Sequence, residues 1–230
     1  MNKKELKSFV TLLLIVAFPI GGYGEINLNK IYGLREMNDL RKIINETERA
    51  NPSDKDSLKL LGIAYHNLGV NEVKGAPEKA VRYLERANQL SSDDYEVLAY
   101  LGSAKTMIAR DSWNVVGKMS GINKGINIMD KAVREAPDNI PIRMVRANNS
   151  LKAPKFFNRS RVAKEDFLHI VGLIEKSPSN LDSDTKAEVY YQLGMIFKVA
   201  ENKALAGEYL KKAVAIAPDS QWGTKAKGEL

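Results

Sequence analysis

Few side chains in this sequence could carry out chemistry. His66 and His169 are its two histidines, and cysteine is absent. Without cysteine there is no thiol nucleophile, no thiolate-bound metal and no disulfide. Two histidines far apart in the chain do not make a histidine metal centre. No Gly-x-Ser-x-Gly elbow and no His-Glu-x-x-His pair occurs. Gly117-Lys118 lacks both the upstream glycine and the following hydroxyl of a phosphate loop, since Met119 comes next. A lone histidine specifies little, so each is read as a packed or surface side chain rather than a general base. These residues assign no catalytic group, no metal site and no cofactor, and they point away from an enzyme.

What remains is charge. Arg143, Arg146, Lys152, Lys155, Arg159, Arg161 and Lys164 follow one another with no acid between them. Such a run could bind an anionic envelope component: an acidic peptide, a phospholipid headgroup or a cell-envelope polymer. It could equally be a solvated face balanced in space by Glu165, Asp166 and acids of neighbouring elements.

The elements that must position these residues show in a repeated pattern. Leu58-Lys-Leu-Leu61-Gly62 returns as Leu98-Ala-Tyr-Leu101-Gly102 and as Tyr190-Tyr-Gln-Leu193-Gly194. Each is followed by a second segment with small and large residues alternating at helical spacing: Ala80/Leu84/Ala87, Gly125/Met129/Ala132 and Ala206/Leu210/Ala213. Small residues let two helices approach, and large ones a turn away fill the gap between them. Glycine inside a helix costs about 1 kcal/mol against alanine, so glycines at equivalent offsets need a packing reason. Pro137 and Pro218 stop the second helices. The predicted pairs lie at about 55–68 with 77–91, 94–109 with 122–136, 140–151 with 160–176, and 184–199 with 202–216. A lone helix over 36–50 precedes them, and a tail or short capping helix over 220–230 closes them.

On these residues the chain resembles the tetratricopeptide repeat family. The resemblance implies an all-α, right-handed superhelical solenoid of antiparallel helix pairs over 36–219, acting as a non-catalytic binder of a protein or peptide. Partners of the family lie in the concave groove of the first helices. Here that groove is expected to present Lys59, Ile63, His66, Ala99, Ser103, Met144, Asn148, Tyr191, Met195 and Lys198, a mixed surface suited to a helix or extended segment. The best-understood subset clamps a chain-terminal carboxylate with Lys and Asn. Lys59 fits one of those positions, but Ile63 and Tyr100 stand where Asn is needed, and Pro141 and Val145 where the last cations belong. That mode is not expected.

Three pairs depart from the family's tight turn, with extra residues at 69–77, 110–121 and 152–159. Enlarged loops are expected there, emerging on one edge. Their apolar residues, Trp113, Val115, Val116, Met119, Phe156 and Phe157, are expected to tuck back onto the helices because exposure is costly, with partner binding as the alternative.

The N-terminus sets the compartment. Three lysines among residues 3–7, an apolar run from Phe9 to Ile20, and Gly22 and Gly24 make a secretory signal over 1–24. The run is too short to span a bilayer, so an exported protein, periplasmic or secreted, without a transmembrane segment in its mature form is expected. Residues 25–35 are expected to be extended. The full chain carries a formal +7. Its first 24 residues hold Lys3, Lys4, Lys7 and Glu5, which leaves +5 on the remainder. That excess speaks to solubility, and no nucleic-acid partner is expected.

Overall fold

The computed structural model describes residues 28–177 and 181–230. The predicted signal over 1–24 lies outside the described residues. The chain order is α1 (Leu28–Gly33), α2 (Met37–Arg49), α3 (Lys55–Val70), α4 (Ala76–Leu90), α5 (Tyr95–Arg110) and α6 (Val115–Glu135). It continues with α7 (Ile140–Lys152), a 3-10 turn (Lys155–Phe157), α8 (Ser160–Lys176), α9 (Ser183–Val199), α10 (Lys203–Ile216) and α11 (Gln221–Glu229). No strand occurs among the described residues. Successive helices pack as pairs, α3 with α4, α5 with α6, α7 with α8 and α9 with α10, and each pair stacks on the next. The result is an all-α solenoid.

Short polar side chains start the helices. Asp54, Asp94, Asn139, Asp182 and Asn202 each accept a backbone N–H from three residues on, at 2.9–3.2 Å. Each satisfies a donor that the first turn leaves without a partner.

The repeated glycines are where helices of a pair touch. A Cβ on Gly62 would meet Leu84 Cγ at 2.5 Å, and one on Gly194 would meet Leu210 Cγ at 2.7 Å. Gly102 faces Gly125 across the second pair, where a Cβ would lie 2.7 Å from the Gly125 carbonyl oxygen. Leu84, Met129 and Leu210 are almost fully buried in these contacts. The core runs as successive layers, one from α1 to α7, a second over α7 to α9 and a third under α11, as expected of a stack whose repeats touch only their neighbours.

Two elements differ from the sequence reading. Residues 28–33, expected in an extended segment, form α1, and that helix is tied down: the Asn67 amide donates to the carbonyls of Ile31 at 2.8 Å and Leu34 at 3.1 Å. The insertion at 110–121 is mostly helix rather than loop. Asn114 caps the N–H groups of Val116 and Gly117, so α6 begins seven residues before the expected position 122. Gly121 permits this, since a Cβ there would sit 2.6 Å from the Cβ of Ala109.

Candidate functional site

The first helices α3, α5, α7 and α9 surround a cavity of about 790 Å³ on the inner side of the solenoid. His66, Asn67, Tyr100, Ser103, Thr106, Met144, Asn148, Asn149 and Glu188 come from these helices. The start of α6 adds Lys118 and Ile122, α11 adds Trp222, and Tyr32 and Arg35 enter from α1 and the residues after it.

Of the expected groove residues, His66, Ser103, Met144 and Asn148 line this cavity. The others are placed differently. Ile63 and Ala99 are fully buried in the core. The Lys59 ammonium is engaged by Asp94 at 3.1 Å and Glu96 at 2.6 Å. That closes off the single position that fits the carboxylate clamp. Tyr191 packs on Trp222, ring centroids 5.4 Å apart, and Lys198 pairs with Glu229 at 2.7 Å. Helix α11 therefore covers the end of the groove where Tyr191, half-buried Met195 and Lys198 are expected to meet a partner. The cavity draws instead on the earlier half of α9, at Thr185, Glu188 and Gln192.

The polar groups form connected pairs. His66 Nε2 lies 2.9 Å from Ser103 Oγ, and Nδ1 lies 3.1 Å from Asn67 Oδ1. Burial pushes its pKa down to about 4, so the ring is neutral at physiological pH. Asn149 donates to Thr106 Oγ1, and Asn148 donates to Glu188 Oε1 at 2.8 Å. Burial raises the Glu188 pKa, opposed by Arg35 and by the Asn148 hydrogen bond. Tyr32 stacks on Tyr100 at 6.1 Å and its hydroxyl donates to Glu96, which also accepts from Asn139 at 2.7 Å.

The basic run of α7 and α8 does not gather into one cationic surface. Buried Asp166 accepts from Arg143 at 2.6 Å and from Arg146 at 2.7 and 2.8 Å. Asp130 of α6 accepts from Arg146 at 3.1 Å and from Arg159 at 2.7 and 2.9 Å. Arg161 pairs with Glu165 one turn away. Lys155 is exposed, Lys164 half-buried, and Lys152 points into the rim of the cavity. Asp166, Glu165 and, from the preceding helix pair, Asp130 thus balance the arginines in space, in line with the second of the two readings of this run.

The apolar side chains of the insertions do not tuck back. Trp113 is 95% exposed, Val116 77% and Phe156 63%, with Val115 also exposed and Met119 partly so. Phe157 alone of the six packs against the core. Arg110 and Lys118 border one insertion, Ala153 and Pro154 the other, and all four line the cavity. The exposed residues are thus close in the chain to lining residues without lining the cavity themselves. Arg35, Tyr100, Asn149 and Glu188 are cavity residues that the repeat pattern does not single out. Glu188 carries a signal, being an acid on an otherwise apolar stretch of α9.

Among the described residues no cluster of His, Asp or Glu could hold a metal ion, and no described helix is long and apolar enough to cross a membrane.

Comparison with known proteins places this geometry. Residues 187–220, which cover most of α9 and all of α10, match the family model described as tetratricopeptide repeat. Among solved structures, TTC0263, a thermophilic TPR protein of Thermus thermophilus, superposes with a TM-score of 0.65 at 14% identity. The match covers 83% of this chain and 90% of that one. A MamA crystal structure gives a TM-score of 0.49 at 19% identity, covering 83% of this chain and 92% of the other. MamA from Desulfovibrio magneticus RS-1 gives 0.45 at 19%, covering 73% and 84%. No curated protein matches the chain in sequence.

Proposed function

We propose that this protein, a tetratricopeptide-repeat solenoid by its fold and its last helix pair, is a non-catalytic scaffold of the cell envelope. It holds a partner protein at the mouth of its concave cavity. The observation that carries this reading is the exposure of Trp113, Val115, Val116 and Phe156, close in the chain to lining residues. Several large apolar side chains exposed on two insertions favour an interaction site, because leaving them in water costs free energy that a partner's contact recovers. The lining mixes polar side chains such as Ser103, Asn148 and Asn149 with apolar ones such as Met107 and Met144, which suits an entering segment. The envelope location rests on the basic start, apolar run and small residues of positions 1–24. The pairing of Arg143, Arg146 and Arg159 with internal acids supports a protein partner over a nucleic acid.

The test is co-purification from an envelope extract with the full chain as bait. Trp113→Ser combined with Phe156→Ser is expected to lose the captured partner, while Tyr191→Ala, under α11, keeps it. A partner retained by the double variant would sink the proposed docking edge.

A further inference from the structure

The cavity is walled by elements from both ends of the described chain. Asn67 and Asn71 hold the end of α1 and the residues after it, with Asn71 Nδ2 donating to the Arg35 carbonyl at 3.3 Å. A Cβ on Gly33 would reach Thr185 Oγ1 of α9 at 3.4 Å. Gly33 of α1 and Thr185 of α9 thus approach each other at one side of the cavity of about 790 Å³. That volume lies within the roughly 300–1,000 Å³ range of small-molecule sites.

Two cations of its lining, Arg35 and Lys152, have no carboxylate in hydrogen-bonding contact among the described residues. Lys152, solvent-exposed at the rim of the chamber, makes no hydrogen bond or ion pair among the described residues. Arg35 donates from Nη1 to the carbonyls of Tyr32 and Leu34, so its charge faces no carboxylate in direct contact. Burial lowers the Lys152 pKa, and the fields of Arg35 and Arg110 lower it further, with Glu72 and Glu188 opposing. Three acids share the lining: Glu188 accepts from Asn148, Asp138 faces His169 and Asp182 caps α9, and Glu188 also acts electrostatically on Arg35 and Lys152. Tyr100 is 2% exposed, and its hydroxyl, on the chamber wall, has no hydrogen bond among the described residues. Met107, Met144 and Val70 supply apolar surface beside these groups.

We propose that this chamber binds a small organic anion, one compact apolar body bearing a single acidic group that lies between Arg35, Lys152 and the Tyr100 hydroxyl. A charge-assisted contact with the two cations gives Arg35 an anionic partner and the Tyr100 hydroxyl a hydrogen bond. The apolar body displaces water from the methionine-lined wall. This goes beyond the docking of a protein at the rim and does not depend on it.

The experiment is a fluorescence titration of the full chain with 8-anilinonaphthalene-1-sulfonate, an aromatic anion, followed by competition with 3-phenylpropionate. Saturable one-to-one binding is expected, competed by the acid and at least tenfold less well by its methyl ester. Lys152→Gln, which has no partner to lose, is expected to weaken the probe about tenfold with an unchanged circular dichroism spectrum. Tyr100→Phe is expected to weaken it several-fold. Trp113→Ser with Phe156→Ser is expected to leave it unchanged, which separates chamber from rim. Absence of saturable binding, equal competition by the ester, or an undisturbed Lys152→Gln titration would overturn the proposal. So would a short peptide with a free carboxyl terminus that competes as well as phenylpropionate, since the chamber would then be a chain-end site.

Discussion

Gly102 is the point at which the repeat geometry is most exposed to a single methyl group. It faces Gly125 at the crossing of α5 and α6, and a Cβ there would lie 2.7 Å from the Gly125 carbonyl oxygen, 3.0 Å from Met129 Cγ and 3.1 Å from Ile128 Cβ. Ordinary contact begins near 3.4 Å, so the two helices would have to part by about 0.7 Å. The obstructing oxygen is backbone and cannot rotate away. Overpacking of this kind costs roughly 1–3 kcal/mol, while alanine returns up to about 1 kcal/mol of helix propensity. Gly102→Ala should therefore destabilise the protein by roughly 1–2 kcal/mol, which for a chain of this size lowers the melting temperature by about 2–8 °C. Thermal unfolding followed by circular dichroism measures it. The matched control is Gly172→Ala in α8, where a new Cβ meets nothing within 4 Å. That variant keeps the propensity gain without the clash and should melt at or above the parent. If Gly102→Ala proved as stable as Gly172→Ala, the close helix contact inferred at the repeated glycines would be refuted.

Other consequences follow from the buried charges. Asp166 is fully buried and pairs with Arg143 and Arg146 together, so Asp166→Asn should cost about 3–5 kcal/mol by leaving the buried Arg143 without a carboxylate while Arg146 keeps Asp130, read from urea unfolding. His66, with its pKa depressed to about 4, stays neutral in the folded chain while the unfolded chain takes up a proton below about 6.5. Its contribution is thus full above about pH 6.5 and is lost as pH falls towards 4. The His66 ring resonances should not titrate between pH 7 and 5, and a midpoint near 6.5 would contradict its burial. Glu188 has the opposite sign: its raised folded pKa means that stability declines as pH rises from the ordinary carboxyl range through that value. Glu188→Gln should be at least as stable as the parent at neutral pH and show a flatter pH profile.

The helix pairs are legible in the sequence because helical contact is local in its demands. Gly62, Gly102 and Gly194, with Ala87, Ala132 and Ala213, mark the close approaches by size alone, and Asp94 and Asp182 mark helix starts by side-chain length. The site is less legible. The repeat pattern puts Lys59, Tyr191 and Lys198 in an open groove, but Asp94 with Glu96, Trp222 and Glu229 claim them. Glu96 and Glu229 are more than 30 residues distant from the side chains they engage, and no helical period reports such partners. For the basic run, the sequence names Asp166 and Glu165 as balancing acids but not Asp130, which belongs to α6. The glycines of the insertion at 110–121 suggest a loop, whereas Asn114 starts a helix there and Gly121 allows it to lie on α5. Tryptophan is usually packed, so the exposure of Trp113 is the departure that points to function.

The most direct measurement of the scaffold reading is site-specific photo-crosslinking in the producing cell. A benzophenone side chain replaces residue 113 or 156 at the exposed edge, or residue 85 on α4, an exposed position of a second helix. Discrete adducts with one protein from positions 113 and 156, and none from 85, are the expected result. Adducts from none of the three, or the same adduct pattern from all, would contradict the claim that this edge holds a partner.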